Sequence, residues 1–367
     1  MKGRIPKPGD TEKTDESLGS CIDLLRRWVI VKISGDEWDI HKPERNPHAS
    51  RPCKLPLFPH RMKQSPRMKN KHEGQKGGED RKTKWKFGQN FLVDETVVRG
   101  ICDDVLSTPA DWIIEIGPGQ GALTRRLAPC CRKLTAVEID PKWVEHLQSH
   151  ANWGTLDVIH ADAIRIDWEE ILNKHAPEPG QKPLVVGNLP YNRAAPILFH
   201  LLPHLNRCLS AQIMVQYEVA KRLCGQPHSR DFSFLSVMVQ NRANSELLRK
   251  VSPEAFRPRP KVWSATVRLT PRSAPASDSP LFAPFVHVAF SQRRKQLANS
   301  LEPFYDKAQV TKALEGMGIR PDSRAEDLSV EEFSNLFGIL GPLKPDGQNG
   351  QGGKTGEIES WDEDEQH

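Results

Sequence analysis

The sequence predicts an α/β fold built on a parallel sheet, followed by a small all-helical domain. Three observations predict it. From Phe87 to Thr270, short apolar runs alternate with stretches of helical period. The run Trp112 to Ile116 ends in Gly117-Pro118-Gly119-Gln120-Gly121, and a helical stretch leaves that loop. From Phe285 to Leu340 the apolar residues recur only at helical spacing.

The elements follow in order. Asp94 can cap a helix carrying the stripe Val97, Val98, Ile101, Val105 and Leu106, which Pro109 ends. The preceding segment, with two aromatics and a glycine, is expected to be ordered by packing rather than by regular structure. Strand, glycine turn and helix at 112–127 form a dinucleotide-type, Rossmann-like unit, in which backbone approaches a cofactor. Glu115 lies just before the loop, where an acid can meet an ammonium. Leu134 to Asp140 is a second strand ending in an acid, placed to hold ribose hydroxyls. Trp143, Val144 and Leu147 give the next helix its apolar side. Leu156 to His160 is a third strand running into Asp162. That aspartate either accepts from an adenine amino group or caps the following turn.

The fourth strand, Leu184 to Val186, stops at Gly187 and delivers Asn188-Leu189-Pro190-Tyr191. Asn188 offers two donors and an acceptor without ionising. Pro190 holds Leu189 extended, and Tyr191 offers a flat face. The group suits a planar, amine-bearing base. The same four residues also suit an ordinary strand-to-helix turn. A helix at Pro196–Leu205, a strand at Ala211–Gln216, a helix at Glu218–Leu223 and a final strand at Val262–Leu269 complete the sheet region. A proline-rich loop before that strand carries Arg257, Arg259 and Lys261. The first helix of the all-helical part carries Gln292-Arg293-Arg294-Lys295-Gln296, three cations on one turn that can grip phosphates or form a solvated face.

The domain boundaries expected are 1–80 as an extension, 81–271 as the Rossmann-like domain, 272–284 as a linker, 285–341 as a helical RNA-contacting domain, and 342–367 as an acidic disordered tail. Residues 1–61 read as an extension or a mis-assigned start. Basic residues crowd Arg61 to Lys86, a phosphate-tracking arm or a solvated tail. The chain of 367 residues has a net charge of +5, which permits a nucleic-acid partner without requiring one. Seven cysteines without a C-x-x-C pair point to reduced thiols and to no metal site. No apolar run approaches the ~18–20 residues of a membrane span. A cytoplasmic protein is expected.

An acid, a glycine loop, a ribose-type acid, a later aspartate and a terminal N-L-P-Y reach one sheet edge in that order. That order resembles a class I S-adenosylmethionine-dependent methyltransferase. The resemblance narrows on KFGQNFLVD at 86–94, EIGPGQGALT at 115–124, VEID at 137–140, DA at 162–163 and GNLPYN at 187–192. QYEVAKRL at 216–223, FRPRPKV at 256–262, FSQRRKQLANSL at 290–301 and GIRPDSRAEDLS at 318–329 extend it. The chain thus resembles the bacterial small-subunit ribosomal RNA adenine dimethyltransferase family (the dimethyladenosine transferases), which is related to the Erm methyltransferases. Where that family has Lys after the Gln of its Q-K-E-V motif, this chain has Tyr217.

The resemblance implies S-adenosyl-L-methionine as cofactor, held by Asn90, Leu92, Gly117, Glu138, Asp162 and Asn188. It implies Asn188, Leu189, Pro190 and Tyr191 as the catalytic motif; the cations Arg257, Arg259, Lys261, Arg293, Arg294 and Lys295 are the residues expected to meet RNA. The implied reaction dimethylates the exocyclic amines of two adjacent adenosines in the 3′-terminal hairpin loop of small-subunit rRNA. The partner would be a late 30S assembly particle, met by a monomer. The rival readings are an Erm-type 23S rRNA adenine methyltransferase and a non-catalytic ribosome assembly factor on the same fold.

Overall fold

The computed structural model describes residues 89–343 apart from 151, 152 and 154. The expectations for residues 1–80, for the basic arm and for the acidic tail lie outside the described residues. The chain divides into two compact units, the first ending at Pro280 and the second starting at Leu281.

The first unit starts with a short strand, β1 (Phe91–Leu92), and a helix, α1 (Glu95–Leu106). The Asp94 side chain caps α1 by accepting from the Thr96 and Val97 amides at 2.8 and 3.2 Å. Strands and helices then alternate: β2 (Trp112–Ile116), α2 (Thr124–Leu127), β3 (Lys133–Glu138), α3 (Pro141–Gln148), β4 (Leu156–His160), α4 (Trp168–Lys174), β5 (Leu184–Asn188), α5 (Ala194–Leu201), β6 (Ser210–Gln216) and α6 (Tyr217–Leu223). α7 (Phe234–Gln240), β7 (Ala243–Val251), β8 (Phe256–Arg257) and β9 (Ser264–Pro271) follow.

Seven strands form the main sheet in the order β4-β3-β2-β5-β6-β9-β7. All five residues of β2 are buried, as befits a central strand covered on both faces. One apolar cluster, with Ile114, Val185 and Ile213, fills one side. Another, with Ile113, Val186 and Phe256, fills the other. The crossing from β2 to β5 reverses the strand order, so the cleft opens where ligands bind in such sheets.

Three sequence expectations are corrected. The sheet is mixed: β9 runs antiparallel to β6 and to β7. β7 itself was not expected. The segment before α1 is not merely packed, since Phe91 and Leu92 pair with Arg257 and Phe256 as a two-stranded ribbon. That ribbon ties the front of the cleft to the loop ahead of β9.

The second unit contains α8 (Phe282–Phe290), α9 (Leu297–Leu301), α10 (Lys307–Gly316) and α11 (Val330–Leu340). Phe282 and Phe285 meet Phe337 with ring centroids 5.7 and 5.4 Å apart. Ser329 caps α11 in a reciprocal box with Glu332. Arg293, Arg294 and Lys295 do not lie on a helical turn, as the sequence suggested. α8 ends at Phe290, and the three cations occupy the exposed connection to α9. No helix among the described residues is long and apolar enough to cross a membrane.

Candidate active site

A cleft open to solvent lies at the carboxyl ends of β2, β3, β4 and β5. Its lining includes Asn90, Leu92, Gly117, Glu138, Asp162, Asn188, Leu189, Pro190 and Tyr191. The structure therefore brings the predicted cofactor and catalytic residues to one place. Arg257, Arg259 and Lys261 are exposed in the segment before β9 and do not line the cleft. Arg259 pairs with Glu254, and Arg293 of the second unit pairs with Glu326 at 2.9 Å.

The cleft floor is the glycine loop. Gly119 has φ +53°, and a Cβ there would come within 3.0 Å of the Phe91 ring. At Gly187, a Cβ would approach the Ile116 carbonyl to 2.7 Å, so only glycine lets β5 pass beside the end of β2. These two positions keep backbone, rather than side chain, at the cleft surface.

Glu138 is the most constrained group. It is 2% exposed. Its Oε2 accepts from the Gly119 amide at 2.9 Å, and its Oε1 accepts from the Ile139 and Asp140 amides at 3.0 and 2.9 Å. Burial raises its carboxyl above the ordinary range, and the three amides only partly oppose this. The β3 acid thereby locks the glycine loop while its oxygens line the cleft. A carboxylate so held, beside bare loop backbone, fits a ribose diol.

Glu115 lies deeper, 2% exposed, with the Thr124 hydroxyl donating to its Oε2 at 2.7 Å. Burial pushes its carboxyl up to about 7, against the pull of Thr124 and with help from the Glu138 charge. The folded protein therefore keeps this proton after the unfolded chain has released it. Stability from this group falls as pH rises from about 4.5 towards 7 and is level above that. Glu115→Gln is expected to remove the decline. The stability difference between wild type and variant in urea unfolding should change by roughly 2–3 kcal/mol between pH 5 and 8. A constant difference would contradict the buried-acid assignment.

Of the two roles its position offers, the structure shows Asp162 in the capping one. It caps its own turn, its Oδ1 accepting from the Ile164 amide at 3.0 Å. Arg193 Nη2 also reaches both carboxylate oxygens at 2.6 Å. Partial burial acts to raise this carboxyl, but the Ile164 amide and the Arg193 guanidinium outweigh it and hold it below the ordinary range. Sequence reasoning missed Arg193. The available signal was a cation immediately after N-L-P-Y-N, at the start of a helix.

Asn188 ends β5. Its Nδ2 donates to the Asn90 carbonyl at 3.0 Å. That bond fixes which end of the amide does what: the NH₂ is engaged, and Oδ1 remains as an acceptor. Tyr191 is half-buried, and its hydroxyl shares a 2.6 Å hydrogen bond with Ser264 Oγ. Burial raises the Tyr191 phenol, with Ser264 opposing, so the ring enters the site as a neutral flat face. Ser264 also escaped sequence reasoning, since nothing local marks it.

Fold and site together define a Rossmann-like methyltransferase architecture. A model of the ribosomal RNA adenine dimethylase family matches residues 80–341. The ribosomal RNA small subunit methyltransferase A of Xylella fastidiosa (strain 9a5c) is 43% identical over 255 residues, 68% of this chain and 93% of that protein. The protein of the same name from Chlorobium phaeobacteroides is 39% identical over 262 residues, 71% of this chain and 92% of its own. Among solved structures, the 23S rRNA methyltransferase ErmE is similar with a TM-score of 0.53 and 28% identity, over 68% of this chain and 99% of its own. The dimethyladenosine transferase of Plasmodium falciparum shares the fold, with a TM-score of 0.59 and 22% identity over 69% of this chain and 99% of its own. The chain belongs to the ribosomal RNA adenine dimethylase family.

Proposed function

We propose that this protein is an S-adenosylmethionine-dependent dimethyltransferase acting on the exocyclic amines of two adjacent adenosines in the 3′-terminal hairpin loop of small-subunit rRNA. The observation that carries this is the Asn188 amide, anchored through Nδ2 to the Asn90 carbonyl with Oδ1 left as an acceptor. Relatives matched over nine-tenths of their length are named as small-subunit enzymes, which favours that substrate over large-subunit rRNA. The reading further places the reaction on a late 30S assembly particle, with a monomeric, cytoplasmic enzyme.

Glu138 would hold the cofactor ribose, Asp162 its adenine amine and Glu115 its ammonium. Asn90, Leu92 and Gly117 would form the walls. When bound, the cofactor supplies an electrophilic methyl group on a sulfonium. The target amine is a weak nucleophile because its lone pair is delocalised into the purine. Asn188 Oδ1 and the Leu189 carbonyl would accept its two hydrogens. Those bonds favour a pyramidal nitrogen with its lone pair aimed out of the ring. Pro190 keeps the Leu189 carbonyl in place, and the Tyr191 ring stacks on the base, worth about 1–3 kcal/mol. The base must leave its own stack to reach this cleft. Orientation supplies most of the acceleration, and no strong general base is required, since the methylated nitrogen is itself acidic.

Tritiated-methyl transfer to undermethylated 30S particles, 50S particles and naked rRNA tests the reading. Label in two adjacent adenosines of the small-subunit RNA is expected. Label confined to large-subunit RNA would reverse the choice of substrate. No label anywhere would leave a binding role alone.

A further inference from the structure

The carboxyl edge of the sheet does not end at the cleft. It continues across β6, β9 and β7, and three side chains from these elements converge there. Tyr217 opens α6, and its amide donates to the Trp263 carbonyl at 2.9 Å. Trp263 immediately precedes β9. Lys250, near the end of β7, places its Nζ 4.6 Å from the Trp263 ring centroid and 4.7 Å from that of Tyr217. The ammonium thus fixes two rings by cation–π contact. Lys250 is exposed and makes no ion pair with a carboxylate among the described residues.

Trp263 is 45% exposed, and its neighbour Val262 is 42% exposed. A single exposed apolar side chain needs no explanation. This one differs in carrying an ammonium against its ring, the Lys250 Nζ at 4.6 Å from the centroid. It is also joined to the cleft. The residue after it, Ser264, hydrogen-bonds the hydroxyl of Tyr191, the ring assigned to the target base. Lys261 and Arg257 are exposed in the same segment ahead of β9. A flat aromatic face, a cation without an acidic partner and a basic approach beside a base-binding ring form a stacking platform for single-stranded nucleic acid.

We propose that Trp263, Lys250 and Tyr217 form a subsite for an unpaired nucleotide adjacent to the target adenosine. The base of that nucleotide stacks on the exposed Trp263 ring, and its phosphate meets Lys250 Nζ. Tyr217 supports Lys250 from behind. The subsite rests on the reading that the substrate is RNA, and its role is to set the register of the strand so that the right adenosine enters the cleft.

The test uses full-length protein and undermethylated 30S particles. Trp263→Ala should raise KM for the particle about tenfold, with cofactor Kd and thermal unfolding unchanged. Trp263→Phe should recover most of that loss, because a ring is restored. Lys250→Ala should lower the slope of log KM against log salt by about 0.7, the value of one single-strand phosphate contact, whereas Trp263→Ala should leave that slope alone. An unchanged KM in Trp263→Ala overturns the subsite while leaving the substrate reading intact. So does a Phe variant as weak as the Ala variant, or a loss of cofactor affinity in parallel. Absence of both transfer and particle binding by the wild-type protein would overturn the RNA reading and the subsite together.

Discussion

Asn188→Ala is expected to slow methyl transfer by roughly 10²–10³-fold, the usual cost of removing one pre-placed hydrogen-bonding group from a reacting centre. The side chain is fixed at one end by the Asn90 carbonyl at 3.0 Å, so its oxygen needs no reorganisation when the amine arrives. Truncation removes the acceptor and leaves the target nitrogen planar and poorly aimed. Cofactor affinity should change far less, because the acids at the ends of β2, β3 and β4 are untouched. Single-turnover transfer to 30S particles reads the first effect, and calorimetric titration of the cofactor reads the second. Asn188→Asp separates orientation from bulk. It keeps both heavy atoms but replaces the donor to Asn90 by a second acceptor, so it should be nearly as slow as Ala. Turnover near wild type in either variant would remove Asn188 from the reaction.

Much of this site was legible because its parts are local. An acid at a strand end, a glycine loop and a proline-stiffened turn each declare themselves within a few residues, and an α/β sheet gathers all strand ends on one edge. The contacts that finish the site are not local. Asn188 meets Asn90 across 98 residues, Tyr191 meets Ser264 across 73, and Arg193 meets Asp162 across 31. No spacing rule encodes those pairs.

The same distinction explains the misreadings of the fold. β7 runs through Glu246, Arg249 and Lys250, and a register shift between Leu247 and Arg249 breaks the period of two that would have revealed it. The neighbouring α7 starts from Ser233, which closes a capping box with Ser236. Strand direction was equally hidden, since β9 pairs antiparallel yet its first four residues are buried like those of its neighbour β6, which itself pairs parallel with β5. The cations at 293–295 looked helical because the preceding apolar stripe was helical, but α8 stops at Phe290.

Glu138→Ala is expected to weaken cofactor binding by about 10²–10⁴-fold, on two counts. Hydrogen bonds to a charged group contribute roughly 1.5–3 kcal/mol each, and a ribose diol would offer two donors to this carboxylate. The second count is internal. Glu138 is the common acceptor for the Gly119, Ile139 and Asp140 amides, and its removal leaves three donors without a partner at the mouth of the cleft. The tie from Gly119 is the one that bridges two strand ends, so the glycine loop loses its fixed position as well as its ligand contact. Glu138→Gln discriminates between the two counts. Its single carbonyl oxygen can still hold some of the amides, so the loop should stay closer to its place while affinity remains low. Equilibrium dialysis against labelled cofactor gives the affinities, and hydrogen exchange at Gly119 and Gln120 reports the loop. Affinity within about threefold of wild type in both variants would mean that the β3 acid serves only to hold the loop, and the ribose would have to be sought elsewhere along the edge.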